Sequence, residues 1–238
     1  LSNQLAVRYS SVFDLDLIRI IEIFKVGLPA ALEQVIFQIG ITAFLILVAY
    51  YGTEAYAAYG IGVQILSFSF VIGFGFSIAG ATLVGQHLGA QNKDQAKRAG
   101  WGAMRLSIIS MTFFGIIIVT FAEPLARFMI DNDEVVRLTV IFIWLLGSMQ
   151  PLMAIEFSLG GALRGAGDTK TPLVITLTCL LFIRVFLAVV FFLLDASIEI
   201  IFSTLLADYI VKGFLYVSRF KSDRWMNVLK IKEVDQQL

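Results

Sequence analysis

Six apolar runs, each long enough to cross a lipid bilayer, occupy most of the 238 residues of this chain. A helix of about 20 residues, rising roughly 1.5 Å per residue, crosses the hydrocarbon core of a membrane. We therefore predict an all-α, polytopic membrane protein, folded as a bundle of six transmembrane helices with short connections. The predicted helices cover residues 26–51, 56–88, 101–121, 138–163, 172–194 and 198–218.

The composition excludes most soluble functions. Hydrophobic residues make up 58% of the chain and charged residues 15%, whereas roughly a quarter of a soluble domain is charged. The formal net charge is zero and the charges are concentrated between the apolar runs, so nothing indicates a nucleic-acid partner. The single cysteine, Cys179, excludes a disulfide within the chain and a cysteine metal cluster, and the single histidine, His87, argues against a histidine metal site. They also leave little for hydrolysis or metal chemistry, so we expect neither an enzyme nor a bound cofactor.

The positions of lysine and arginine predict the orientation of the helices, because cytoplasmic loops hold the excess of positive charge. Basic residues lie before the first apolar run, after the second, after the fourth and in the C-terminal tail. The first and fifth connections have no basic residue, and the third is mainly acidic. We therefore expect a multi-pass protein of the inner or plasma membrane with both termini in the cytoplasm.

The chain divides into three predicted parts. Residues 1–25 form a cytoplasmic lead, in which the apolar residues of segment 13–24 recur at spacings of three and four, as in a helix on a membrane surface. Residues 26–220 form the transmembrane bundle. Residues 221–238 form a basic cytoplasmic tail.

Two clusters of small residues predict close helix packing and a tight turn. The second run has a small residue at every fourth position, which we interpret as a packing surface: Gly73, Ser77, Ala81, Gly85 and Gly89. After the fourth run, we expect Gly165 or Gly167 to end the helix in a left-handed conformation and Thr171 to be the N-cap of the next helix, with Pro172 in its first turn. The spacing matches neither a dinucleotide nor a P-loop fingerprint, so we interpret this segment as a turn.

Acidic residues inside the apolar runs are the sharper functional signal, because each costs about 2.5 to 3.5 kcal/mol at the centre of a spanning helix. Glu33 lies about two turns inside the first helix, and Glu156 precedes Arg164 by eight residues on the fourth, so both are expected near the same depth. We predict one shared cavity, in which burial and mutual repulsion favour uptake of a proton or a sodium ion. The alternative is that each glutamate only bonds a neighbouring helix or lies at the lipid interface. Candidates for the polar lining of the cavity are Gln34, Gln38 and Gln150.

Two further charges lie near the middle of the last two helices. Arg184 is on the fifth and Asp208 is on the sixth, and we predict that they form a structural ion pair, since charges within a membrane usually pair with one another. Arg105 and Lys212 are closer to the cytoplasmic ends, from which we expect their side chains to reach the membrane surface.

Two stretches resemble a known family, the multidrug and toxic compound extrusion (MATE) transporters. They are residues 80–90, GATLVGQHLGA, and residues 161–172, GALRGAGDTKTP. Further similarity lies in Gly27 to Pro29, in Ala57 and Ala58, and in residues 219–225, RFKSDRW. The resemblance covers essentially the whole chain.

That family has twelve helices in two similar lobes, so the resemblance implies that this chain is one six-helix lobe. The lead resembles the connection between lobes and the basic tail resembles the family's end, which indicates the C-terminal lobe, with the missing N-terminal lobe expected in the same polypeptide. Family membership implies export of small organic, often cationic, compounds, coupled to inward sodium or proton movement by alternating access. The acids of this family's C-terminal lobe fall at Phe37 and Met153 here, but Glu33 and Glu156 each lie one turn away on the same helices. The resemblance therefore implies a shifted coupling site, with sodium, if it binds, at Glu33 and Glu156.

Three other functions stay open at this point. A lipid-linked precursor flippase of the same superfamily would favour a strongly cationic cavity, whereas the centre of these helices has one arginine with an acid nearby. A membrane enzyme lacks a paired motif at active-site spacing. A non-catalytic membrane partner fits if both glutamates tolerate replacement.

Overall fold

The computed structural model describes residues 17–228, and within this range the chain is almost entirely helical. Two short segments depart from α geometry: a π-helical segment, Thr178–Val185, and a 3-10 turn, Arg224–Asn227. The α-helices are α1 (Leu17–Ala49), α2 (Thr53–Gly89), α3 (Lys93–Thr120), α4 (Ala122–Met129), α5 (Asp133–Ser148), α6 (Gln150–Gly165), α7 (Lys170–Leu177), α8 (Phe186–Leu193) and α9 (Ile198–Lys221).

These helices make the six predicted spans. Five are single long apolar segments: Ile23–Ala49, Thr53–Gly89, Lys93–Thr120, Lys170–Leu193 and Ile198–Lys221. The fourth span is α5 and α6 together, bent by 53° at Met149. Large apolar side chains such as Phe68, Phe182 and Phe214 are mostly exposed on the outside of the bundle, as expected for surfaces that face lipid. The predicted all-α, six-span fold is confirmed.

The break in the fourth span has a local cause. Pro151 has no backbone N–H and cannot donate to the carbonyl of Gly147, so the helix cannot continue unchanged through this point. The backbone of α3 comes close to the break, as a Cβ on Gly115 would lie 3.2 Å from the Gly147 carbonyl oxygen. The sequence analysis treated residues 138–163 as one continuous helix, and the bend corrects that prediction.

Small residues let α2 and α6 pack backbone to backbone. A Cβ on Gly161 would overlap the Ser77 carbonyl, and one on Gly165 would overlap the Ala81 carbonyl. Gly85 packs against the Gly165 carbonyl, where a Cβ would lie 3.0 Å from the oxygen. The ridge on α2 is therefore a packing surface as predicted, except at Gly89, where no atom lies within 4 Å of the Cβ position.

The turn between α6 and α7 is held by Asp168. Gly167 takes the left-handed conformation (φ 77°), one of the two candidates from the sequence, and the next helix then begins at Lys170. The Asp168 carboxylate accepts hydrogen bonds from the backbone N–H of Thr171 (3.3 Å) and from its hydroxyl (2.8 Å). Thr171 was predicted as the N-cap, but it lies inside the first turn, because Asp168 supplies the acceptor that its backbone needs.

Asp168 also ties this turn to the end of the last helix. Arg219 of α9 donates from Nε (2.9 Å) and Nη2 (2.7 Å) to one oxygen of Asp168. Beyond α9, the buried Trp225 stacks on Phe220 with ring centroids 4.5 Å apart, and Lys97 of α3 pairs with Asp223 at 2.7 Å. The described part of the tail therefore packs onto the bundle.

The predicted lead, residues 1–25, lies partly outside the described residues, since positions 1–16 precede them. From Leu17 the chain is helical without a break into the first span, so no change of helix marks the predicted boundary at residue 25. A position on the membrane surface for the lead stays a prediction.

Two large apolar clusters fill the bundle at different levels, and a third, smaller one contains Met111, Met153 and Ala154. On α9, Phe202 and Leu205 belong to one cluster, and Tyr216 and Phe220 belong to the other. The intervening turns of α9 carry Asp208 and the buried charges described next.

Candidate functional site

Four charged side chains from three spans meet inside the bundle. Arg184 Nη2 lies 2.5 Å from Asp208 Oδ2, and Lys212 Nζ lies 3.3 Å from the same oxygen. Lys212 Nζ also lies 3.3 Å from Glu156 Oε1. We call Glu156, Arg184, Asp208 and Lys212 the charge tetrad.

The tetrad is buried and its formal charges balance. The exposed fractions of its side chains are 0% for Asp208, 1% for Lys212 and 4% for Arg184, but 20% for Glu156. Charges taken out of water persist only when they are paired, and here two cations alternate with two carboxylates. Glu156 is therefore the member of the tetrad that is reachable from outside the bundle.

Local structure explains how these side chains converge. Asp208 and Lys212 are four residues apart on α9 and so lie on one face, one turn from each other. Arg184 is on the π-helical segment of the fifth span, a type of helix that often occurs at functional sites. The ring of Tyr209 lies 5.4 Å from both the Arg184 guanidinium and the Lys212 ammonium, within reach of a cation–π contact.

Glu33 belongs to a separate ion pair. Its carboxylate accepts hydrogen bonds from Arg164 Nη1 at 2.9 and 3.1 Å, and from the Thr176 hydroxyl at 3.3 Å. The side chain of Glu33 is 15% exposed and that of Arg164 is 32% exposed. This pair, which we call the α1–α6 pair, joins the first span to the end of α6.

The two glutamates thus have different partners. Arg164 follows Glu156 by eight residues on α6, which places the two residues about 12 Å apart along the helix axis. Each carboxylate faces a cation from another helix, whereas the sequence analysis predicted that the two carboxylates repel each other in one cavity. Neither Arg164 nor Lys212 was recognised as a partner from the sequence, and one cavity shared by the two carboxylates stays a prediction.

The three glutamines predicted as polar lining differ in burial, and their role in a cavity stays a prediction. Gln34 and Gln38 are exposed on α1, whereas Gln150 is completely buried beside the bend in the fourth span. Gln150 Oε1 accepts a hydrogen bond from the Ser69 hydroxyl at 2.5 Å. Since Gln150 precedes Arg164 by fourteen residues, or about 21 Å of helix, it lies far from the α1–α6 pair.

Lys212 is the functional candidate that sequence reasoning assigned wrongly. We expected its side chain to reach the membrane surface, but it is 1% exposed and ion-paired with Glu156 and Asp208 inside the tetrad. Its spacing of four from Asp208 was the available signal, because such pairs meet on one helix face. Among the described residues, no group of three or more His, Cys, Asp or Glu side chains is arranged to hold a metal ion.

Comparison with known proteins places this fold. The MatE family model matches residues 29–190. A probable multidrug resistance protein NorM from Thermotoga maritima is 35% identical over 213 residues, covering 86% of this chain and 44% of the relative. The chain therefore spans less than half the length of this relative.

Solved structures show the same architecture. The Vibrio cholerae MATE transporter VcmN in its bent form superposes with a TM-score of 0.79 and 20% identity, over 91% of this chain and 50% of that one. A MOP superfamily transporter from Pyrococcus furiosus gives a TM-score of 0.75 with 18% identity, over 82% and 43% of the two chains. These proteins are transporters rather than enzymes, and this chain has the fold of a single lobe. On the family match and the T. maritima relative together, this six-span chain belongs to the MATE family of multidrug and toxic compound extrusion transporters.

Proposed function

We propose that this chain is the C-terminal lobe of an exporter of small organic, often cationic, compounds, driven by inward movement of sodium ions or protons. The observation that carries this proposal is the pair of carboxylates, Glu33 and Glu156, which are partly exposed and bonded to cations inside a MATE fold. Intramembrane acids are costly to insert and commonly belong to ion or proton pathways.

Exposure separates the coupling candidates from the structural pair. Glu33 and Glu156 are 15% and 20% exposed, so a coupling ion can reach both. Arg184 and Asp208 are 4% and 0% exposed and are enclosed by the bundle. We assign the coupling role to the two glutamates and a structural role to the Arg184 and Asp208 pair.

The helix α6 connects the two candidate sites. It binds α1 through Arg164 and Glu33, and it binds α9 through Glu156 and Lys212. A cation that neutralises either carboxylate weakens the corresponding link, since the Coulomb attraction between helices is lost. Because α6 is already separated from α5 by the bend at Met149, we propose that ion uptake moves α6 relative to its neighbours during alternating access.

The charge balance disfavours the flippase alternative. The charge tetrad and the α1–α6 pair together contain three cations, Arg164, Arg184 and Lys212, and three carboxylates, Glu33, Glu156 and Asp208. A pyrophosphate carrier would need an excess of positive charge to hold its substrate. These six groups supply none.

The proposed function also implies a membrane location and a set of partners. We place the chain in the inner or plasma membrane with both termini in the cytoplasm, and we expect an N-terminal lobe in the same polypeptide to complete the substrate cavity. The lipid bilayer and a small organic substrate are then its partners.

The test is export of a cationic dye. Efflux-deficient cells expressing this chain with its second lobe are loaded with ethidium, and retained dye is measured before and after the sodium or proton gradient is collapsed. We expect exclusion that disappears with one of the two gradients. Unchanged dye retention despite confirmed membrane insertion would contradict drug export and would favour the flippase or a non-catalytic partner.

A further inference from the structure

We propose that Lys212 is a built-in cation that takes the place of a sodium ion at Glu156, so that this carboxylate exchanges protons instead. The inference rests on the proposed coupling role of Glu156. It goes further in two respects: the ion taken up at Glu156 is a proton and not sodium, and Lys212 is the residue that determines this choice.

The ammonium group of Lys212 lies between two carboxylates. Lys212 Nζ is 3.3 Å from Glu156 Oε1 and 3.3 Å from Asp208 Oδ2, and the side chain is 1% exposed. A cation bridging two carboxylate oxygens is the arrangement that a bound metal ion would otherwise provide, since hard cations take oxygen ligands. The tethered ammonium therefore fills the place between the carboxylates.

The formal charges of the tetrad already balance. Two cations and two carboxylates leave the tetrad formally neutral, so a sodium ion entering it would add a positive charge and would also have to displace the Lys212 ammonium from the carboxylate oxygens. The other groups facing Lys212 do not change this balance, because they are uncharged: the Tyr209 ring and the Cys179 thiol.

A proton differs from a sodium ion in what it requires. It forms one covalent bond to a carboxylate oxygen and needs no shell of oxygen ligands. When Glu156 accepts a proton, the tetrad also gains one positive charge, but the proton displaces no group, because Lys212 keeps Asp208 as a partner at 3.3 Å. Since Glu156 is 20% exposed, the proton has a route to the only tetrad member outside the enclosed core of the bundle.

Binding of radioactive sodium to the purified transporter, this chain together with its second lobe, tests the proposal. With Lys212 retained, the Glu156→Gln variant is expected to bind as much sodium as the wild type. Lys212→Met removes the ammonium, gives the tetrad a charge of −1 and is expected to add about one sodium ion per chain. The Lys212→Arg variant keeps the charge and is the matched control, expected to add none.

A double variant ties the new site to the carboxylate. Lys212→Met combined with Glu156→Gln restores neutrality and is expected to abolish the added binding. Sodium binding in the wild type that is lost in Glu156→Gln would overturn the proposal, as would a folded Lys212→Met protein with no added sodium. Sodium binding by the wild type and by Glu156→Gln is compared without any lysine variant. The proposal can therefore be overturned even if Lys212→Met does not fold.

Failure of this inference is distinguishable from failure of the proposed function. Dye export driven by a sodium gradient through Glu156 would overturn the role of Lys212 and leave the exporter intact. Absence of export under any gradient would contradict the exporter, and the sodium-binding comparison would still decide what Lys212 does.

Discussion

Asp208 is the residue on which the buried charge converges, since Arg184 and Lys212 both contact its Oδ2. We expect Asp208→Asn to destabilise the protein strongly, by about 3 to 5 kcal/mol, because it leaves buried cations without full compensation. Thermal unfolding of the purified protein in detergent measures this effect. The matched control is Asp131→Asn, since Asp131 is exposed. Equal unfolding midpoints for the two variants would contradict a structural role for Asp208.

The pairing of single residues was only partly predictable from sequence. Arg184 and Asp208 were paired because both lie near the middle of their helices, and the structure places them in contact. Lys212 was assigned to the membrane surface because distance from the helix end was estimated from sequence, without knowing that Glu156 and Asp208 lie on either side of it. Partners contributed by different helices depend on how those helices are rotated, which one sequence does not specify.

At the scale of helices, contact between α2 and α6 depends on glycine. We expect Gly161→Ala to destabilise the bundle by about 1 to 3 kcal/mol, because its Cβ would overlap the Ser77 carbonyl and force the helices apart. Gly75→Ala is the control, since Gly75 is exposed on α2 with no atom within 4 Å of the Cβ position. The yield of monodisperse protein after heating measures both variants. A Gly161→Ala protein as stable as the control would argue against the close packing.

The turn between α6 and α7 provides a second test on this scale. Asp168→Ala removes the acceptor used by Thr171 and Arg219. We expect a loss of about 1.5 to 3 kcal/mol, as for hydrogen bonds to charged groups, together with faster protease cleavage near residues 166–172. Asp94→Ala changes an exposed aspartate in the first turn of α3 and is the comparison. Identical cleavage rates would exclude a role for Asp168 in holding the turn.

Helix existence was easier to predict than helix shape. Long apolar runs determine six spans, and Gly167 was among the two residues expected to end α6. The bend at Met149 was missed although Pro151 gave a signal, because the apolar run continues through it. The π-helical segment at Thr178–Val185 has no counterpart in the apolar pattern, so its effect on Arg184 was not predictable.

For the molecule as a whole, the predicted orientation is testable because the chain has a single cysteine, and Cys179 is buried. Introduced cysteines can therefore be labelled selectively with a membrane-impermeant maleimide. We expect Glu54→Cys and Asp131→Cys to react in intact cells, and Asp94→Cys to react only after permeabilisation, because basic connections stay in the cytoplasm. The reverse pattern would invert the orientation.

The family could be inferred from two short motifs, and the structure explains why they are motifs. Residues 80–90 and 161–172 meet where Gly85 packs on Gly165, and Asp168 in the second motif binds Arg219 near the C-terminal end of α9. The two motifs therefore determine how the helices of one lobe pack together. The groups that we propose for coupling lie mostly outside them, which is why the fold was more predictable than the site.

The most direct test of coupling by Glu33 and Glu156 is gradient-driven dye transport in proteoliposomes that contain this chain with its second lobe. Sodium or proton gradients are imposed separately, and export is compared for wild type, Glu33→Gln, Glu156→Gln and the exposed control Glu54→Gln. We expect wild type and the control to export dye with one gradient, and both other variants to insert normally but lose coupled export. Normal gradient-driven export by Glu33→Gln and Glu156→Gln would contradict the account.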